Sequence, residues 1–322
     1  MSIRLSLAID AGAVDPTVPT VAFGAAGNTD LSPFPDLTVI QTFRPDYDVW
    51  ASRGVTVATE PTDGALALVF LPRSKAAARA RVADAVRATN GLVVIDGQKT
   101  DGIESLLKDL KSRAEVPHVL SKAHGKLAVI GPGADVADWA DPGPTRTDRF
   151  WTQPGVFSAD GPDPGSRLLA EHLPPKLGPV VADLGAGWGY LAQAILSRET
   201  ATALHLVEAE KRALDCARLN VRDARAEFHW ADARKWGKTG GIDTVLMNPP
   251  FHEGRKGDPG LGVAFIQRAA ELLQPKGQLF LVANRHLPYE PHLESSFRDL
   301  TGLGGDRSYK VFRASRPRQP KV

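Results

Sequence analysis

The stretch "VVADLGAGWGYLAQAILSR", residues 180–198, decides the fold. Its first five residues are apolar except for Asp183 and suit a buried strand. "YLAQAIL" repeats apolar residues at helical spacing. Between them stand Gly185, Gly187 and Gly189. Glycines at such a turn let the backbone bend tightly and approach a ligand with no Cβ in the way. Taken alone, the turn also fits a purely structural role. A strand, a glycine-rich turn and a helix in that order open a β-α-β unit, whose strands run parallel.

The same alternation continues outward. Downstream, "ALHLVE" (203–208), "AEFHWAD" (226–232), "IDTVLMNPP" (242–250), "QLFLVAN" (278–284) and "RSYKVFRAS" (307–315) read as strands. Helices at "EKRALDCARLNVRD", "GVAFIQRAAELLQPKG" and near "PHLESSF" separate them. Upstream, "GALALVFLP" (64–72) and "LVVID" (92–96) read as strands, "SKAAARARVADAVRATNG" (74–91) and "DGIESLLKDLKSR" as helices, and "HVLSKAHGKLAVIG" as two strands around a turn. The upstream order matches the order that begins at "IDTVLMNPP", which implies an internal duplication of one α/β unit. "ADPGPTRTDRFWTQPG" (140–155) is Pro/Gly-rich and reads as the linker, giving domains 1–145 and 146–322. The first copy lacks the second's chemistry: where the second has "NPPF", the first has "LPRS" at 71–74, and its one glycine-rich candidate is the weak "FGAAGN" at 23–28.

Composition narrows the class. The chain has 322 residues, enough for about two domains. Apolar residues make up 43% and charged residues 24%, as in globular proteins with a full core. The single cysteine, Cys216, excludes an internal disulfide and a Cys-based zinc site, and no metal is expected. The N-terminal apolar run is broken by Asp10 and makes a poor signal peptide, and no run is long enough to span a membrane, so a cytoplasmic location is expected. Net charge is +2, unevenly divided: residues 1–150 carry 16 Lys+Arg against 18 Asp+Glu (16 − 18 = −2), and the remainder 23 against 19 (23 − 19 = +4). The final "RSYKVFRASRPRQPKV" has six basic residues and no acidic one, which suits either phosphate contacts or a solvated terminus.

The glycine turn also limits the ligand. A dinucleotide fingerprint needs G-x-G-x-x-G, but Tyr190 stands where the third glycine belongs. G-x-G-x-G after an acidic residue suits S-adenosylmethionine, whose amino-acid end replaces a pyrophosphate. Glu208 ends the next strand, where a carboxylate can accept both ribose hydroxyl protons. Asp232 follows the third strand, within reach of an adenine amino group, or alternatively caps the next turn.

"VLMNPPFHEG" (245–254) supplies the chemistry. Asn248 falls at the end of the fourth strand, the edge where ligands sit in open α/β sheets. Its side-chain carbonyl and the backbone carbonyl of Pro249 can both accept hydrogen bonds from an exocyclic amino group. Pro250 has no N–H and stiffens the pocket. Phe251 offers a face for stacking a base. The amine turns positive as it takes a methyl group, and two carbonyl dipoles stabilise that charge, so no strong base is needed. His252 is a candidate proton acceptor or simply a solvated loop residue. An Asx-type turn is the rival reading of the tetrapeptide.

"DLGAGWG" with "NPPFHEG" resembles class I S-adenosylmethionine-dependent methyltransferases of amino groups. Together with "PGVFSADGPDPGSRLLAEHL" (154–173) and "VANRHLPYEPHLESSF" (282–297), the chain resembles the bacterial 16S ribosomal RNA guanine-N2 methyltransferase C family, strongly over 150–322 and weakly before it. The resemblance implies an α/β protein of two tandem Rossmann-like methyltransferase domains with doubly wound, mostly parallel sheets, the N-terminal one degenerate and serving folding or RNA holding. It implies S-adenosylmethionine as cofactor, held by Asp183, Gly185, Gly187, Glu208 and Asn248, with Asp232 added from its place after the third strand. Phe157, Ser158, Asp163, Gly165 and Ser166 match the family segment that closes over the cofactor. It implies catalysis by Asn248, Pro249, Pro250 and Phe251. The expected partner is ribosomal RNA or the small ribosomal subunit, the expected state a monomer, and the target base must be unpaired or flipped out. Lys122, His124, Lys126, Lys310, Arg313, Arg316 and Arg318 are candidate phosphate contacts. Trp188 departs from the pattern, being bulky for this loop. Other targets remain open: a 23S guanine N2, adenine N6 of DNA or RNA, or a protein glutamine. So does a non-catalytic RNA-binding assembly factor.

Overall fold

A computed structural model describes residues 1–250, 252–253, 256–257 and 259–318. The chain divides into two compact units, Met1–Gly143 and Pro144–Val322. Each is built on a seven-stranded sheet.

The first sheet comprises β1 (Thr20–Phe23), β2 (Leu37–Ile40), β3 (Thr56–Ala58), β4 (Gly64–Phe70), β5 (Thr89–Gln98), β6 (His118–Lys122) and β7 (Gly125–Ile130). Helices α1 (Ile3–Asp10), α2 (Arg44–Ser52), α3 (Lys75–Arg87) and α4 (Ile103–Leu110) accompany it. The second unit begins with a hairpin of β8 (Thr145–Thr147) and β9 (Phe150–Thr152). Its sheet comprises β10 (Val180–Leu184), β11 (Ala203–Glu208), β12 (Ala226–Trp230), β13 (Ile242–Met247), β16 (Leu273–Asn284), β17 (Phe297–Gly305) and β18 (Tyr309–Pro317). A two-residue ladder joins β14 (His252–Glu253) to β15 (Lys256–Gly257). The helices of this unit are α5 (Pro164–Glu171), α6 (Tyr190–Leu196), α7 (Lys211–Asn220), α8 (Pro259–Leu272) and α9 (Glu290–Ser296).

The strand orders are β3-β2-β1-β4-β5-β7-β6 and β12-β11-β10-β13-β16-β18-β17. Counted from the first strand of each sheet, they are the same order. Both sheets are parallel until the last two strands, which pair antiparallel. The duplication read from the sequence is therefore a duplication of topology. Buried strands such as β10 and β13 are covered on both faces, which explains their continuous apolar composition.

Three details differ from the sequence reading. An extra strand, β17, lies between α9 and β18. Its sequence "FRDLTGLGG" has three glycines, mostly exposed or half-buried side chains and a register shift between Gly302 and Gly304, so it carries little strand signal. Residues 140–155 are not a bare linker: β8 and β9 belong to the second unit, and Phe150 and Thr152 are buried there. The register also moves the match between copies by one residue. Phe23 pairs with Ile40 and Val69, and Leu184 with Val207 and Met247. The counterpart of Asn248 is thus Phe70, and "FLPR" at 70–73, not "LPRS", answers to "NPPF".

Candidate active site

The site forms where β10, β11 and β13 end. Asp183 is the last polar residue of β10, is 1% exposed, and neither of its carboxylate oxygens has a hydrogen-bond partner. Burial first, and the charge of Glu208 second, push it up to about 7. A buried acid without partners is costly, so a carboxylate left this way calls for a ligand that brings donors or positive charge. The chain then turns through Gly185, Gly187 and Gly189, all at positive φ (79°, 56° and 87°) that side chains rarely adopt. Gly189 caps α6.

Glu208 stands beside this turn. Its Oε2 accepts from the Gly187 amide at 2.7 Å and its Oε1 from the Glu210 amide at 2.8 Å. Burial raises its pKa, while these amides oppose the rise. Two carboxylates and a glycine turn therefore meet at the ends of β10 and β11, and the partnerless Asp183 demands hydroxyl or ammonium donors.

Asn248 follows β13 directly. Its Nδ2 donates to Asp163 Oδ2 at 2.8 Å and to Ser166 Oγ at 3.0 Å. Asp163 is itself fixed, because it caps α5 by accepting from the Ser166 amide at 2.8 Å, with Pro164 in the first turn. Gly165 is required beside it: a Cβ there would stand 2.9 Å from the Tyr309 ring. Tyr309 is pushed up by burial and by the Asp163 charge. Asp163, Gly165 and Ser166 are thus brought to Asn248. Phe251 lies outside the described residues.

Trp188 is accommodated by turning into a small apolar cluster with Phe150, Val156, Ala213 and Cys216. Its ring centroid is 4.8 Å from that of Phe150. Its indole N–H donates to the backbone carbonyls of Phe157 and Ser158 at 3.1 and 3.2 Å. Ser158 has φ 53°, and Phe157 is 57% exposed. Asn220 completes the clasp. It donates to the carbonyls of Trp151 and Trp188, both at 2.8 Å, and accepts from the Trp151 amide. Bulky for a glycine turn, Trp188 therefore anchors the 157–158 segment beside it. Asn220, Tyr309 and the inward turn of Trp188 escaped sequence reading because the partners are 30 to 144 positions away.

A family profile described as "methyltransferase small domain" matches residues 147–313. The chain belongs to the methyltransferase small-domain family. Among curated relatives, "Ribosomal RNA small subunit methyltransferase C" of Shewanella oneidensis is 30% identical over 237 residues, covering 69% of this chain and 68% of its own. "Ribosomal RNA large subunit methyltransferase G" of Alcanivorax borkumensis is 34% identical over 184 residues, covering 54% of this chain and 47% of its own. Among solved structures, the T. thermophilus "16S rRNA N2 G1207 methyltransferase", in complex with AdoMet and guanosine, superposes with a TM-score of 0.76. It is 25% identical, and the match covers 94% of this chain and 89% of that one. That likeness spans both units, so the chain has two tandem methyltransferase-like domains.

The remaining candidate residues of the methyltransferase are placed less simply. Both oxygens of Asp232 are engaged by the Arg234 guanidinium, and Oδ1 also accepts from the Arg234 amide, as in a capped turn. Lys310 pairs with Glu290 at 2.7 Å, Arg316 pairs with Asp299, and Arg318 donates to the Phe297 carbonyl at 3.0 Å. Arg313 is exposed on β18. Lys122 and His124 are exposed on the β6–β7 turn, and Lys126 lies 3.6 Å from Glu104. Among the described residues, no helix is long and apolar enough to cross a membrane.

Proposed function

We propose that the second unit binds S-adenosylmethionine and methylates the exocyclic N2 amino group of a guanine in 16S ribosomal RNA. The observation that carries this reading is the Asn248 side chain, held by Asp163 and Ser166 at the end of β13, beside the strands β10 and β11 that carry Asp183 and Glu208. Those two hydrogen bonds commit the donor end of the amide to the protein. Its carbonyl end is then left for an incoming amino group, together with the carbonyl of Pro249.

The residues present fit the cofactor. Asp183 lacks donors, and Glu208 and the glycine turn form the cradle. When bound, S-adenosylmethionine supplies an electrophilic methyl group on a cationic sulfur. Glu208 receives the ribose hydroxyls, and the partnerless Asp183 offers a counter-charge. Phe157, Ser158, Asp163, Gly165 and Ser166 close the cofactor side. Asn248 and Pro249 grip the guanine amine, draw its lone pair out of conjugation and align it with the methyl. With the donor bound, Asn248 and Pro249 would hold the amine while its N–C bond forms and the C–S bond breaks, the sulfonium leaving as a neutral thioether and the amine proton passing to water. Pro250 stiffens the corner and Phe251 stacks the base. Positioning of this kind is worth up to roughly 7–11 kcal/mol in well-oriented cases.

The first unit serves folding and RNA holding, with Lys122, His124 and Lys126 contacting phosphates. The protein acts as a cytoplasmic monomer on the small subunit or its RNA. The 34% match to a large-subunit enzyme favours one second reading, a guanine N2 in 23S RNA. Labelled S-adenosylmethionine offered with small subunits, large subunits, naked RNA, DNA or a release factor separates these. Label on a guanine N2 of small-subunit RNA is expected. Label in large-subunit RNA would support the second reading, and label in DNA or protein would reject both.

A further inference from the structure

We propose that His205, Glu227 and His229 form a site for a divalent d-block cation of the zinc type. The site is distinct from the methyl-transfer corner. His205 lies on β11, Glu227 and His229 on its neighbour β12. The parallel register sets His205 opposite Glu227 and Val207 opposite His229. With a side-chain period of two, all three project from one face. Glu208 falls on the other.

Three donor atoms converge. His205 Nδ1 is 3.1 Å from His229 Nε2 and 3.4 Å from Glu227 Oε2, and His229 Nε2 is 3.8 Å from the same Oε2. A triangle with those sides lies on a circle of radius about 2.0 Å, the length of a zinc–imidazole or zinc–carboxylate bond. A cation at its centre reaches all three donors with the side chains where they stand. A histidine–histidine hydrogen bond is the simpler reading, but its one proton lies between the two imidazoles and leaves the Glu227 oxygen, 3.4 and 3.8 Å from them, with no proton aimed at it. A cation satisfies all three at once.

The surroundings also suit a cation. The Glu227 side chain is 62% exposed and those of His205 and His229 are 19% and 27% exposed, which leaves a path from solvent and room for a water as fourth ligand. Trp236 covers the other side, its ring 5.3 Å from that of His205 and 4.9 Å from that of His229. Two imidazoles and one carboxylate favour zinc, cobalt or nickel over magnesium, which prefers oxygen and keeps its water. Among the described residues, β12 is the edge strand of this sheet, paired only with β11. A cation would tie these two strands together across their ladder, just before the turn that carries Asp232.

The test is calorimetric titration of the full-length protein with zinc chloride near neutral pH, with magnesium chloride in parallel. One equivalent of zinc, no magnesium and a rise in Tm with zinc are expected. Glu227→Gln, at an exposed position that leaves the fold intact, should weaken zinc at least ~10-fold. His229→Ala should abolish binding while S-adenosylmethionine affinity stays unchanged, which also shows that this variant folds. Absence of zinc binding by the wild type, or binding unchanged in both variants, would overturn the proposal.

Discussion

Two corners of this molecule have the same backbone and opposite contents. In the second unit, β10, β11 and β13 end on Asp183, Gly185, Glu208 and Asn248. The register places Ala22, Gly24, Gln41 and Phe70 at those points in the first unit. Even the turn is retained: the Gly24 amide donates to Ile40 as the Gly185 amide does to Val207. What differs is what fills the cradle. A Cβ on Gly24 would collide with the Arg81 guanidinium, which reaches in from α3 and donates to the Phe70 carbonyl. The amide of Gln41 and the indole of Trp50 both donate to the Ala25 carbonyl, at 2.9 and 3.0 Å. Over Gly185 the neighbour is Phe265, with a Cβ-to-ring distance of 3.7 Å. At this corner the first copy fills the cradle with the Arg81 guanidinium and gives its Phe70 and Ala25 carbonyls donors, whereas the second has left Asp183 without donors. A binding site is, in this comparison, the corner that does not satisfy itself.

Substitutions can push the second corner toward the first. The largest effect should come from Asn248→Ala, which removes the proposed grip on the amine. Turnover should fall by about 10²–10³-fold, as for loss of one preorganised dipole, with S-adenosylmethionine affinity mostly retained. Single-turnover rates with small subunits check this, and a near-normal rate would remove Asn248 from the mechanism. Glu208→Gln copies Gln41 and should weaken the cofactor roughly 10–100-fold through lost charge-assisted hydrogen bonds, read by calorimetry.

Asp183 gives a pH test of the comparison. Its folded pKa is raised to about 7, so between its unfolded value and about 7 the folded state binds more protons. Stability without ligand should therefore fall as pH rises through that window and level off above it. Asp183→Asn should flatten this slope and stabilise the ligand-free protein at pH 8 by on the order of a few kcal/mol, while weakening the cofactor. Denaturant melts across pH decide the point. If the slope survives the substitution, Asp183 is not its source. The smallest effect belongs to Trp188→Phe, which keeps the packing and loses the two bonds to residues 157 and 158. A rise of a few-fold in the cofactor KM with kcat little changed is expected, at about 1 kcal/mol per bond.

Much of this was legible in the sequence because strong local signals carry it. The glycine turn, the strand ending in Glu208 and the Asn-Pro-Pro edge each lie within one short segment, and the repeated strand-helix order exposes the duplication. Tertiary partners were not legible. Nothing local ties Asn248 to Asp163 and Ser166, 85 and 82 positions away, or says that Trp188 turns inward. Strands of three or four residues such as β1 and β3 give too little periodicity to read. The partners of the tail basics were not legible for a related reason: composition shows charge, but the acids that pair with Lys310 and Arg316 come from α9 and β17.

Stoichiometry of the cofactor tests the contrast between the corners most directly. Titration of the full-length protein with S-adenosylmethionine should give one equivalent per chain. That equivalent should weaken sharply in Glu208→Gln and stay intact in Arg81→Ala, which empties the first cradle without supplying its missing acids. Two equivalents per chain, or one that Glu208→Gln leaves untouched, would contradict the account.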